Sequence, residues 1–156
     1  AFALGHLEAL RRERRVRELT VVISALTLLQ SHVVYGRSFL ADALRHVGEE
    51  HPEVAPWFCR AARRIDEGEA ASRAWREALA AWSRRSALAP GDVGPLAELA
   101  GILGLSAADD QARRLLWART QLETRLAAAR ERLPERARMC RALGVCGGLL
   151  LALLLY

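Results

Sequence analysis

The sequence contains no lysine: all 23 of its basic residues are arginine. That reflects GC-rich coding more than a chemical demand, and it carries no functional weight. Aromatic residues make up only 6% of the chain and β-branched residues are sparse. Ala and Leu dominate instead, which favours helix and excludes a β-sandwich. The three cysteines are an odd number, so there is no complete disulfide framework. An extracellular disulfide scaffold is excluded, and a reducing compartment is the expectation. The usual signatures of chemistry are also missing. Gly101 and Gly104 have neither a lysine nor a preceding strand, so there is no phosphate loop. No HExxH or CxxC occurs. His46, His51 and Cys59 fall in neighbouring predicted helices at a spacing that matches no standard zinc pattern. Cys140 and Cys146 sit on one predicted helix and cannot bridge without breaking it. Ser, His and Asp are present, but nothing poises a nucleophile. The residues therefore point away from an enzyme and imply no cofactor and no metal.

What the chain does have is apolar helix-forming sequence. Apolar residues are 52% of 156, enough for the packed core of one domain and too many for a disordered tail. Leu19, Val22, Ile23, Leu26, Leu29 and Val33 recur at steps of three and four, which predicts a first helix from about Leu7 to Val34. Gly36 is placed to end it as a left-handed cap, and Ser38 to N-cap a second helix over Phe39 to Glu49. That helix is expected to bury Phe39, Leu40, Ala43, Leu44 and Val47. Pro52 is expected at the first turn of a third helix, which buries Val54, Trp57, Phe58, Ala61 and Ile65 and stops at Gly68. A fourth buries Trp75, Ala78, Leu79 and Trp82. Ala89 to Pro95 is the densest breaker cluster and predicts a turn. A short fifth helix carries Leu96, Leu99, Ile102 and Leu103 up to Gly104. Ser106 and Asp109 have capping-box spacing for a sixth. Its stripe is Leu115, Leu122, Leu126, Ala129 and Leu133, interrupted by Arg119, and Pro134 should kink it. The expectation is an all-α antiparallel bundle of about six helices. Trp57, Trp75, Trp82 and Trp117 read mostly as core.

Charge is distributed unevenly. The net charge is +5 and the pI about 10.0. Residues 1–20 carry +2, residues 21–110 carry −3 and residues 111–156 carry +6. Leu143 to Tyr156 reads LGVCGGLLLALLLY, fourteen uncharged residues. Arg130, Arg132, Arg136, Arg138 and Arg141 precede it, and arginines beside an apolar span mark its cytoplasmic side. The run covers about 21 Å as helix, short of a bilayer core of about 30 Å. Its place at the chain end beside that basic stretch favours a C-terminal membrane segment, residues 143–156, over a buried core helix. The last helix would then run directly into the membrane. Ala1 to Gly5 are expected to be the remnant of a first span, with residues 6–142 as the helical domain between. No signal-peptide order of regions is present. The carboxylates Glu49, Glu50, Glu53, Asp66, Glu67 and Glu69 cluster at helix ends. They serve as caps and solvated groups, or alternatively as an acidic docking surface for a basic partner. A basic helical nucleic-acid-binding module is the competing reading. It explains the pI but not the Leu149 to Tyr156 tail, and such a module more often gathers its charge on one compact face.

Beyond these physical readings, the segment Leu26 to Leu44, LTLLQSHVVYGRSFLADAL, resembles the stage III sporulation protein AB family. That family is related to the F-type inner-membrane platform proteins of type II secretion and type IV pilus systems. Tyr35-Gly36, Leu40, Ala43 and Leu44 match, while Gln30 stands where an acidic residue is usual and Ser38-Phe39 replaces Thr-Pro. Ala74-Trp75 with Leu79, the Leu99 to Gly104 turn, Asp110-Gln111 and Arg141-Ala142-Leu143-Gly144 before a Leu-rich span continue the likeness in order. The resemblance implies an F-domain-like bundle with a membrane span at each end, facing the mother-cell cytoplasm from the membrane around the forespore. It implies a platform subunit of the secretion-like complex of endospore formation, in contact with that complex's cytoplasmic ATPase, its other membrane subunits and lipid. Self-association is compatible with it, and nucleic acid is not among the partners it implies. The Tyr35, Gly36, Ser38 turn is its structural hallmark here.

Overall fold

The computed structural model describes residues 2–35 and 39–133. Six α-helices follow one another: α1 (Phe2–Tyr35), α2 (Leu40–Glu50), α3 (Ala55–Asp66), α4 (Ala71–Ser83), α5 (Pro90–Glu98) and α6 (Ala108–Glu131). A 3₁₀ turn, Leu99–Gly101, continues α5, and no strand occurs among the described residues. The predicted all-α bundle is what forms.

Two long helices make its spine. Leu19, Val22, Ala25, Leu26 and Leu29 put one fully buried stripe on α1. Leu115, Ala118, Leu122, Leu126 and Ala129 put the matching stripe on α6. They run antiparallel. Arg119 Nη1 lies 3.4 Å from both Thr27 Oγ1 and Gln30 Oε1, whereas Arg12 and Arg15 share a small cavity with Ala129 and Arg132 at the other end. The amino-terminal turns of α1 overhang this pairing, with Leu4, Leu7 and Leu10 exposed.

Helices α2, α3 and α4 form an antiparallel zigzag beside the spine. Gly48 lets α2 approach α3 so closely that an added Cβ would stand 2.5 Å from Cys59 Sγ. Trp82 Nε1 donates to the Glu53 carbonyl at 3.0 Å at one end of the α3–α4 pair. Arg64 pairs with Glu69 and Glu77 at the other. Aromatic rings fill the interior: Trp57 packs on Trp75 at 4.6 Å, on Phe58 at 4.7 Å and on Trp82 at 5.3 Å between centroids. Trp75 Nε1 donates to the Leu96 carbonyl at 2.7 Å, which ties α4 to α5.

Several local expectations are corrected. Ala89 to Pro95 is not a turn but the start of α5. Pro90 occupies a first-turn position, where its missing N–H leaves nothing unsatisfied. Asp92 Oδ2 accepts the Ala89 N–H at 2.8 Å. Gly94 has no Cβ to clash with the ring of Pro95, so helix continues through it. Phe39 is not core. It stands in extended conformation immediately before α2, where a Ser38 cap had been expected, and is 84% exposed. Pro56, and not Pro52, sits in the first turn of α3. The Ser106–Asp109 capping box does not form. Ala107 precedes α6 without a side-chain cap, and Gln111 Nε2 donates instead to the Ser106 carbonyl at 2.7 Å. Trp117 is a surface residue, 37% exposed. The positive φ angles of Gly68 (+93°) and Gly104 (+76°) fall where the sequence ends its third and fifth helices. Gly36 and Ser38 of the turn motif, the Pro134 kink, residue 1 of the 1–5 remnant, and Leu143 to Tyr156 lie outside the described residues.

Candidate functional site

The predicted acidic surface divides in two. Glu49, Glu50 and Glu53 are exposed around the α2–α3 turn, whereas Asp66, Glu67 and Glu69 flank the α3–α4 turn. The twelve residues of α3 hold these groups about 18 Å apart along its axis. The second group is largely neutralised. Arg45 bridges Asp42 and Asp66, and its pKa is raised, first by the hydrogen bond to Asp42 and then by the charge of Asp66. Glu69 accepts from Arg64, and Arg64 and Arg73 both reach Glu77. Desolvation works against the charged form of Arg64, but hydrogen bonds to Glu77 and Glu69 outweigh it and raise its pKa. Hydrogen bonds from Arg73 and Arg64 lower that of Glu77.

The arginines of the chain's two ends, by contrast, come together. Arg11, Arg12, Arg14, Arg15 and Arg17 on α1 sit at the same end of the spine as Arg125, Arg130 and Arg132, because α6 returns antiparallel to α1. Arg136, Arg138 and Arg141 lie outside the described residues. A buried ion cluster underlies this basic end. Asp92 is fully buried and takes both Arg15 Nε and a second Arg15 nitrogen at 2.8 Å. Arg125 Nη1 stands 3.7 Å away. The bond to Asp92 is the main reason that the pKa of Arg15 is raised, against an opposing cost of desolvation. Sequence reasoning missed this cluster. Its one local signal is an acid two residues after Pro90, at a position able to bond back to the helix start.

On the flank between α1, α3 and the end of α4 lies a groove of about 790 Å³. Arg14, Arg17, Arg60, Arg84 and Arg85 line it over an apolar floor that includes Trp82. Glu18 and Glu53 are its carboxylates. Arg14 is fixed by bonds to Glu18 Oε1 and the Arg85 carbonyl, both 2.8 Å, and Glu18 Oε2 accepts the Ala87 N–H at 2.7 Å.

Among the described residues no group of three His, Cys, Asp or Glu is set to hold a metal. His46 packs edge-on against His32 at 4.8 Å. Cys59 is partly buried beside the Arg45 carbonyl. Burial raises its pKa, Glu49 adds to the rise and Arg45 opposes it. Among the described residues, no helix is long and apolar enough to cross a membrane.

Comparisons with known proteins agree with this architecture. The family model described as stage III sporulation protein AB matches residues 1–156. A solved structure of a stage III sporulation protein AB superposes with a TM-score of 0.71 at 23% identity, over 77% of this chain and 96% of that one. No curated protein matches the sequence.

Proposed function

Because the chain belongs to the stage III sporulation protein AB family, we propose that it is a membrane-anchored platform subunit of the mother cell–forespore complex. The observation that carries this reading is the meeting of the chain's two basic ends at one end of the α1–α6 spine. A domain tethered at both ends with its spine upright has that geometry, and the exposed guanidinium groups there, such as those of Arg11, Arg12, Arg130 and Arg132, suit an anionic cytoplasmic leaflet, at about 1 kcal/mol for each residue near the surface. Leu143 to Tyr156 supplies the carboxy-terminal anchor. The α3–α4 turn then points away from the lipid towards the complex's ATPase, and there Glu67 is the carboxylate with no ion pair among the described residues, beside Asp66 and Glu69, which arginines already engage. Glu49, Glu50 and Glu53 lie on the membrane side of α3. The absence of a poised nucleophile or phosphate loop from the sequence favours a scaffold over an enzyme.

Fractionation of cells producing the full-length protein tests the anchor. The protein should sediment with membranes and need detergent for release. Leu150→Arg with Leu153→Arg should shift it to the soluble fraction, since each arginine costs about 2.5–3.5 kcal/mol at a span's centre. A wild-type protein that stays soluble without detergent removes the reading. For docking, Glu67→Arg with Glu69→Arg should weaken ATPase binding and Glu49→Arg with Glu50→Arg should not. If neither pair weakens it, the acidic surface is not the contact.

A further inference from the structure

We propose that the flank groove between α1, α3 and the end of α4 binds an acidic polypeptide segment of a partner protein, with the guanidinium groups of Arg17, Arg60, Arg84 and Arg85 as its anchors. The proposal does not depend on membrane anchoring or on ATPase docking. It rests first on charge. Five arginines against two carboxylates leave a net +3 within about 790 Å³. Among the described residues, no carboxylate comes within ion-pair distance of Arg17, Arg60, Arg84 or Arg85. Elsewhere on this surface, arginines such as Arg45, Arg64 and Arg73 are engaged by acids of their own or adjacent helices. Free guanidinium forks are donors in fixed pairs that match carboxylates in a bidentate way.

The second support is preorganisation. Arg14 is held by Glu18 and by the Arg85 carbonyl, and Glu18 is itself held by the Ala87 N–H. Trp82 is fixed at the floor by its bond to the Glu53 carbonyl and by stacking on Trp57. A wall already ordered before binding lowers the entropy lost on association. The floor of Pro56, Ala81 and the Trp82 edge offers apolar area for side chains interleaved with the acids.

The same details favour polypeptide over nucleic acid. Trp82 is stacked on Trp57 and cannot present both faces to bases. Base stacking on aromatic platforms supplies much of the affinity for single strands. Glu18 and Glu53 would repel a continuous phosphate backbone but can be met by a basic or amide residue between two acids of a peptide.

The test uses the full chain in detergent or nanodiscs and a fluorescein-labelled peptide rich in Glu and Asp around a central Leu. Binding is followed by anisotropy at two salt concentrations. The acidic peptide should bind and its Gln/Asn counterpart should not. Arg60→Glu with Arg84→Glu should weaken binding by about tenfold or more and flatten its salt dependence. Arg113→Glu with Arg114→Glu, the same charge change beside Trp117, should alter binding less than about twofold. Circular dichroism and thermal melting should show both double variants folded. Equal losses from the two pairs would mean that the peptide reads net charge alone, and would overturn the proposal. So would an acidic peptide that fails to bind. Duplex DNA, single strands or anionic vesicles that displace the peptide, with the same dependence on Arg60 and Arg84, would reassign the groove to phosphate.

Discussion

Asp92 has no solvent exposure and satisfies three donors, two from Arg15 and one from the Ala89 backbone. Removing its charge would leave Arg15 facing a neutral group at a site only 23% exposed. Breaking a fully buried pair costs about 3–5 kcal/mol. Since Arg15 can recover some water, Asp92→Asn should cost about 2–4 kcal/mol by denaturant unfolding. Arg125→Ala removes a 3.7 Å contact from a residue 40% exposed and should cost under about 1 kcal/mol. Similar losses from the two variants would show that Arg15 is not the principal counter-charge. Gly48 poses a steric question at the same scale. A Cβ there meets Cys59 Sγ at 2.5 Å, and overpacking costs about 1–3 kcal/mol. Helix propensity returns about 1 kcal/mol. Gly48→Ala should therefore be neutral to destabilising alone but stabilising in a Cys59→Ala background. A double-mutant cycle with no coupling would place the clash elsewhere.

Between elements, polar seams join what apolar stripes bring together. Arg119 interrupts the α6 stripe and meets Gln30 and Thr27 only at 3.4 Å, and its buried Nε makes no hydrogen bond, with Glu123 Oε1 as an ion-pair partner 3.4 Å away on the same helix. Gln30→Glu would place a carboxylate against that guanidinium and should stabilise the fold by up to about 1 kcal/mol, measured by urea unfolding, with the gain lost in Arg119→Ala. The α3–α4 seam responds to acid. The pKa of Glu77 is lowered in the folded state, so its contribution is complete above the unfolded value near 4.5 and is lost as pH falls through the folded one. The stability difference between wild type and Glu77→Gln should shrink across that acid range and be smaller in high salt. A difference unchanged by pH would separate Glu77 from the seam. The stripes of α1 and α6 and the indoles of α3 and α4 were legible because burial repeats with the helical period. The start of α5 was not, because Pro90, Gly91, Gly94 and Pro95 each disfavour helix interiors in general, and only their order makes Pro90 a start and Gly94 a relief for Pro95. Phe39 misled for the opposite reason: its hydrophobicity suggested core, while the backbone required an extended residue ahead of α2. The groove could not be read from the sequence, since Arg14 and the Arg85 carbonyl it holds are 71 residues apart.

Across the whole molecule the antiparallel return of α6 changes the meaning of the charge profile. Along the sequence the basic excess lies at two separate ends, a layout read as unlike that of a nucleic-acid binder; in space the described parts of those ends, residues 11–17 and 125–132, lie together. Charge distribution therefore no longer separates a membrane from a polyanion, and orientation must do so. Helix α1 spans about 51 Å as a straight rod of 34 residues. A residue at one end of the spine and one at the other are thus distinguishable by any probe with a reach of a few nanometres. If both ends of the chain are tethered, Arg12 and Arg132 lie near the headgroups and Phe39 and Leu105 lie far from them. Both remote side chains are exposed, 84% and 77%, so a label there is tolerated. In a background of Cys59→Ala, Cys140→Ala and Cys146→Ala, spin labels at Arg12→Cys or Arg132→Cys of the full-length protein in liposomes should be relaxed by a paramagnetic chelate carried on lipid headgroups. Labels at Phe39→Cys or Leu105→Cys should not. Equal relaxation at all four sites would mean that the spine lies along the membrane, with the basic flank and its groove facing lipid and not a protein partner. Relaxation confined to the remote sites would reverse the assigned orientation.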